Sequence, residues 1–166
     1  ALYTYGTTTL ANSTLSGNTA GSTGGGIYQG VAAAKLSLNN STIAYNSAGT
    51  LSTSGVYLTQ GVMTSTNSII ANNAISNNLA TVGGTFVSLG YNLSNNWNGL
   101  SIQPSDKTGD PLLNPLADNG GATWTHAVQI GSPAINSANP ATALPTDQRG
   151  APRQGVPDIG AYEYSD

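Results

Sequence analysis

No aspartate or glutamate occurs between Ala1 and Ser105, and the first proline is Pro104. Lys35 is the only charged side chain in that stretch. Acid–base catalysis and hard-metal binding need ionisable groups, and this region has almost none to offer. Cysteine is absent throughout, which excludes disulfides and thiolate zinc sites and is neutral on compartment. The four Lys and Arg residues are scattered and the net charge is −3, so no phosphate-binding face can form and nucleic acid is excluded as a partner. No apolar run approaches the roughly 18 residues of a membrane span, so no membrane insertion is expected. Nor does a charged-then-apolar leader open the chain. The first residue is Ala rather than Met, and the expectation is a mature or trimmed piece of a longer protein. No cofactor motif is present, and none is expected.

What remains is a Ser/Thr/Asn/Gly/Ala body threaded with single aliphatics and tyrosines. Charged residues make up 7% of the 166, against about 25% in an average chain. Disordered chains combine low hydrophobicity with high net charge. Here 38% of residues are hydrophobic and recur at regular places, which argues for a folded, neutral-surfaced body.

The recurrence is an internal repeat. Asn12-Ser13-Thr14-Leu15-Ser16-Gly17-Asn18 aligns with Asn40-Ser41-Thr42-Ile43-Ala44-Tyr45-Asn46 and with Asn67-Ser68-Ile69-Ile70-Ala71-Asn72-Asn73, at spacings of 28 and 27 residues. Gly26-Ile27-Tyr28 recurs as Gly55-Val56-Tyr57, and Ala1-Leu2-Tyr3 is a matching earlier copy. A short alternating run precedes each Asn-Ser: Thr8 to Leu10, Leu36 to Leu38, Met63 to Ser65. Each unit therefore carries about three short strands separated by Gly/Asn/Ser turns. Poor helix formers dominate, and the leucine frame of a leucine-rich repeat is missing. The expected fold is all-β: a parallel β-helix of about 28 residues per rung, right-handed by the usual chirality of parallel crossovers.

In such a coil equivalent residues stack. Asn12, Asn40 and Asn67 form one candidate ladder of side-chain amides, and Asn18, Asn46 and Asn73 a second. Leu15, Ile43, Ile70, Ile27 and Val56 should point into the coil, and Tyr28 should stack on Tyr57. After Asn78 the frame loosens, with Val82 to Val87 and Gly90 to Leu93 as the start of one more rung. Residues 1–104 are thus expected to be rungs. Residues 105–166, rich in proline and charge, are expected to be an irregular cap packed on the last rung and closing its edge.

Six ordered motifs in the second half carry a resemblance. They are Gly90-Tyr91-Asn92-Leu93; Asp110-Pro111-Leu112-Leu113; Leu116-Ala117-Asp118-Asn119-Gly120-Gly121 with Thr123, Thr125 and His126; Gly131-Ser132-Pro133-Ala134-Ile135; Thr146-Asp147-Gln148-Arg149-Gly150; and Asp158-Ile159-Gly160-Ala161-Tyr162-Glu163. Together they resemble the end segment called choice-of-anchor Q of bacterial secreted right-handed β-helix proteins. In that family it follows rungs similar to Ser16-Gly17-Asn18 and Gly24-Gly25-Gly26-Ile27. The resemblance spans roughly residues 12–163. It implies an exported, often cell-surface protein of adhesin-like or unknown role.

The chemical candidates are few. Arg149 is expected to pair with Asp158 or Glu163, with Asp147 in the same polar motif, pinning the tail to the last rung. His126 has no partner His or Cys and is expected to be hydrogen-bonded within the cap rather than catalytic. Asp106, Asp110, Asp118 and Asp147 lack the spacing of a calcium loop. No catalytic, cofactor or metal residue is assigned. The leading expectation is a non-enzymatic, extracellular or cell-surface, structural or adhesin-like rod. Its first rung is expected to be open and to call for upstream rungs or neighbouring subunits as partners, with end-to-end filaments as one outcome and surface glycans as a further partner class. A polysaccharide-acting enzyme whose catalytic rungs lie upstream is the alternative. Ice binding is a weaker one, because Thr7-Thr8-Thr9 does not recur as a column.

Overall fold

A computed structural model describes residues 1–49, 53–74 and 77–165. It is a parallel β-solenoid of about three turns with no helix among the described residues. The first turn contributes β1 (Leu2–Thr4), β2 (Thr7–Ala11), β3 (Thr14–Ser16) and β4 (Thr19–Ala20). The second contributes β5 (Ile27–Gln29), β6 (Lys35–Asn39), β7 (Thr42–Ala44) and β8 (Ser47–Ala48). Then come β9 (Val56–Leu58), β10 (Val62–Thr66) and β11 (Ile69–Ala71), followed by a shorter turn of β12 (Leu79–Thr81), β13 (Thr85–Ser88) and β14 (Leu93–Ser94). The last strand, β15 (Lys107–Thr108), extends the third sheet beyond β14.

Strands stack in register into sheets of order β1-β5-β9-β12, β13-β10-β6-β2 and β15-β14-β11-β7-β3, with β4-β8 as a fourth, two-stranded one. Thr7 pairs with Lys35, Lys35 with Val62 and Val62 with Thr85, so the steps are 28, 27 and then 23 residues. The outer column of that sheet is therefore mixed and not a threonine row.

Corners depend on left-handed backbone. Asn12, Asn40 and Asn67 have φ of 45°, 45° and 50°, and Tyr91 takes the equivalent place in the last turn at 59°. Asparagine enters this region more readily than other side chains, so the repeat preserves it where the chain must bend.

Inside the coil, alternate residues of three sheets interlock. Ile27, Leu36, Leu38, Ile43, Val56, Leu58, Met63, Ile70 and Leu79 form one cluster with almost no exposure. Each such side chain contributes about 1.5–3 kcal/mol by burial. The third sheet is apolar on its outer face as well. Ile69, Ala44, Ala71 and Leu93 pack there against Leu113, Val128, Ala134, Ala138 and Ile159 of the C-terminal segment. A parallel sheet buried on both faces reads as a continuous apolar run, as Ile69-Ile70-Ala71 does.

That second cluster sets the course of residues 105–165. The segment starts on the last turn, where β15 pairs with β14, and then runs along the side of the coil. Ala161 N–H donates to Thr42 Oγ1 in the second turn, Asn12 Nδ2 of the first turn donates to Thr146 O, and Tyr45 Oη donates to Leu113 O. The physical reason is the apolar outer face of the third sheet, which would otherwise be left in water. Gly160 sits at the tightest approach. A Cβ there would lie 2.7 Å from Ile69 Cδ1 and 3.0 Å from Thr42 Oγ1, and φ is +100°. The end of the coil is covered by earlier residues. Trp97 stacks on Phe86 with ring centroids 6.2 Å apart and donates Nε1–H to Lys107 O, while Leu100 packs on the core.

Candidate functional site

Two ladders hold the interior corners. Asn18 Nδ2 donates to Asn46 Oδ1 at 2.9 Å, Asn46 Nδ2 to Asn73 Oδ1 at 2.9 Å and Asn73 Nδ2 to Asn78 Oδ1 at 3.2 Å. The same oxygens accept the backbone N–H of the preceding rung's asparagine, as in Asn18 N to Asn46 Oδ1 and Asn46 N to Asn73 Oδ1. Asn78 passes the chain on to Asn95 at 2.6 Å. The final steps fall outside the 28-residue period, and no repeat signal marks Asn78 or Asn95. A second ladder uses hydroxyls: Ser13 N donates to Ser41 Oγ, Ser41 N to Ser68 Oγ, Ser68 N to Asn92 Oδ1 and Asn92 N to Asp106 Oδ1. The first acidic residue of the chain thus terminates a neutral stack, accepting from Asn92, Ser88 and Gln103 as well.

Asn12, Asn40 and Asn67 do not bond to one another. Their left-handed backbone turns the amides away from the coil, and each reaches the C-terminal segment. Asn12 Oδ1 accepts from Arg153 and its Nδ2 donates to Thr146 O. Asn40 Oδ1 accepts Leu144 N–H at 3.0 Å and Asn67 Oδ1 accepts Asn139 N–H at 2.8 Å. The expected ladder is here a row of clasps along the seam between coil and segment.

The ionic network at the seam also differs from expectation. Arg149 pairs with Asp147 at 2.7 Å, not with the carboxylates of Asp158 or Glu163. Its NH2 donates instead to Glu163 O, and its guanidinium lies 3.8 Å from the centre of the Tyr162 ring. Glu163 pairs with Arg153 at 3.1 Å, a residue that motif reasoning passed over because it lies outside the Asp147-Gln148-Arg149-Gly150 run. Arg153 is buried and donates also to Gly160 O and Asp158 O. Burial lowers its pKa against the pull of Glu163. Asp158 accepts Asn136 N–H and Tyr164 N–H, and burial raises its carboxyl to about 6 against those bonds. Asp147 is a turn organiser, accepting N–H from Arg149, Ala151 and Glu163. Each charged side chain here has a structural partner, although Arg153 Nε is buried without one, and no cluster of three metal-ligating side chains occurs among the described residues.

His126 is held from both sides of the seam, not from the cap alone. Nδ1 meets Asn114 O at 2.7 Å and Nε2 meets Ser16 Oγ of β3 at 2.7 Å. Burial lowers its pKa.

The exposed candidate surface lies at the first turn. Its four strands are edge strands of their sheets. Leu2, Leu10 and Leu15 are partly exposed, whereas their stacked copies Ile27, Leu38 and Ile43 are buried. Tyr3 stacks on Tyr28 at 5.1 Å, Tyr28 meets Tyr57 at 5.9 Å, and Tyr5 at 70% exposure lies beside Tyr3. A shallow cleft of about 400 Å³ opens there beside Leu2, Tyr3, Thr23 and Tyr28. The arrangement can offer backbone groups, apolar side chains and aromatic faces to a partner.

Comparison with protein-family models, with curated proteins and with solved structures gives no match.

Proposed function

We propose that this chain is part of an extracellular or cell-surface, structural, adhesin-like rod, of the kind its resemblance to secreted bacterial β-helix proteins implies, working through its surfaces rather than by polysaccharide turnover. The open first turn carries the reading: unpaired strand edges and half-exposed Leu2, Leu10 and Leu15 need a cover of similar geometry, either further rungs or a neighbouring subunit. At the opposite end Phe86, Trp97 and Leu100 cover the apolar interior, while β12, β13 and β15 remain edge strands. A contact between first turns closes as a pair, whereas first turn to last turn would have to displace that cover to build a filament. The exposed tyrosines beside the open edge suit stacking on sugar rings of a surface glycan.

Sedimentation over a wide concentration range is expected to show self-association that Leu10→Asp abolishes. A monomer at every concentration would remove neighbouring subunits as the cover. Incubation with acidic polysaccharides is expected to leave them intact. Cleavage would replace the structural reading with the enzymatic one.

A further inference from the structure

Ser16 ends β3 with Leu15 turned into the coil and its own hydroxyl at the seam. The oxygen lies 2.7 Å from His126 Nε2, and His126 Nδ1 lies 2.7 Å from Asn114 O. A carbonyl oxygen can only accept, so Nδ1 carries the proton. A neutral ring then has a bare Nε2, which can only accept the Ser16 hydroxyl proton. This is the contact geometry of a serine with its general base, the base itself oriented by a third group. The burial that disfavours imidazolium keeps the ring neutral near pH 7.

The pair does not lie in sealed packing. It borders an open cleft of about 420 Å³ whose walls are Tyr45, Leu113, Pro115 and Leu116, with Leu116 37% exposed. Tyr45 packs its ring against His126, with centroids 5.0 Å apart. Among the described residues no charged side chain lines the cleft. Gly17 follows the serine directly, also lines the cleft, and would place an added Cβ in open space. A backbone amide immediately after a nucleophilic serine is a common donor to the oxyanion of acyl transfer.

We propose that Ser16 and His126 form a nucleophile–base pair that takes acyl groups from neutral, apolar carboxylic esters bound in this cleft. Ser16 Oγ attacks the ester carbonyl carbon as its proton passes to His126 Nε2. The ester C–O bond then breaks, and the departing alcohol oxygen takes that proton. Water attacks the acyl-Ser16 carbonyl, giving a proton to Nε2, and the carboxylic acid leaves as Ser16 recovers the proton. Asn114 is a positioning residue: its carbonyl fixes the tautomer but supplies no countercharge for the imidazolium, so turnover is slow. This activity goes beyond the scaffold role and does not rest on it.

The test uses a neutral alkyl fluorophosphonate, which mimics the tetrahedral adduct, and p-nitrophenyl butyrate. Peptide mass spectrometry is expected to place the adduct on Ser16, ahead of every other serine. Ser16→Ala should abolish both labelling and ester hydrolysis, and His126→Gln should slow them by about 100-fold or more. Leu116→Trp, which fills the cleft without touching the pair, should slow both while leaving the melting temperature in place. Ser13→Ala, just ahead of the same strand and with its hydroxyl bonded to Ala11 O, should label normally. Labelling of Ser16 no faster than of other serines overturns the proposal and leaves the contact as a seam hydrogen bond. Undiminished labelling in folded His126→Gln overturns it too. Should that variant not fold, undiminished labelling in Leu116→Trp is equally decisive.

Discussion

The two asparagine columns have the same residue type, the same period and nearly the same neighbours, yet they do opposite things. Asn18, Asn46 and Asn73 turn inward and bond to one another, and Asn46 and Asn73 also close carbonyls of their own and the preceding rung. Asn12, Asn40 and Asn67 turn outward and bond to a different part of the chain. Backbone conformation makes the difference. The outward column is itself in the left-handed region, whereas each inward asparagine follows the left-handed residue, Gly17, Tyr45 or Asn72. Period alone therefore identifies a corner and leaves open whether its amide serves the stack or the surroundings.

The strongest way to break the comparison is Asn46→Ala. Asn46 is fully buried, and its loss strands Leu15 O, Ala44 O and Asn18 N–H at once. At about 1–3 kcal/mol for each unsatisfied group, the expected cost is about 4 kcal/mol or more. Urea denaturation followed by circular dichroism should show most of the stability gone. A cost below about 1 kcal/mol would mean that the ladder is ornament on a coil held by its apolar core.

Gly160→Val should rank next, at about 3 kcal/mol, because the new side chain meets Ile69 and Thr42 and φ is +100°. The effect should differ in kind. Hydrogen exchange is expected to show residues 134–163 losing protection while β6, β7 and β10 keep theirs. Uniform loss across the chain would show that coil and flanking segment fold only as one unit.

Asn40→Ala should cost about 2 kcal/mol, from its bonds to Leu144 N–H and Asp158 O and from placing alanine at φ 45°. Asn40→Gly relieves the backbone part and should recover roughly half. The same Gly exchange at Asn46 should recover nothing. Equal rescue at both sites, measured as urea midpoints, would erase the distinction between an amide kept for its backbone and one kept for its stack.

Much of the fold was legible because stacking forces it into the sequence: Ile27 over Leu2, Val56 over Ile27 and Ile43 over Leu15 follow directly from the repeat. What the repeat could not carry is anything that happens once. The lateral course of residues 105–165 depends on the outer face of the third sheet. Ile69 hints at that face, but Ala44 and Ala71 are too small to announce it. The Ser16–His126 contact joins residues 110 apart, and neither lies in a recognisable motif with the other. Arg153 was missed for the same reason. Its partners Glu163, Gly160 and Asn12 come together only when the segment folds back to the first turn.

The smallest expected effect separates two buried groups of the seam by pH. Asp158 titrates at about 6 in the fold and near 3.8 when unfolded, so the fold favours its protonated form. Its contribution to stability is full below about 4 and is lost as pH rises through 6. His126 has the opposite sign. Its folded pKa lies below 6.5, so its contribution is present above 6.5 and is lost as pH falls. Asp158 is faced by Arg153 and Glu163 and by the N–H groups of Asn136 and Tyr164. Arg153 stays cationic throughout this range, so it cannot mask the change. Between pH 7.5 and 5 the two contributions act on the wild-type melting temperature with opposite sign. In His126→Gln it should rise by about 2–4 °C over that interval, whereas in Asp158→Asn it should fall. A fall in His126→Gln would show that the amide donors around Asp158 outweigh its burial, making the seam a carboxylate site after all.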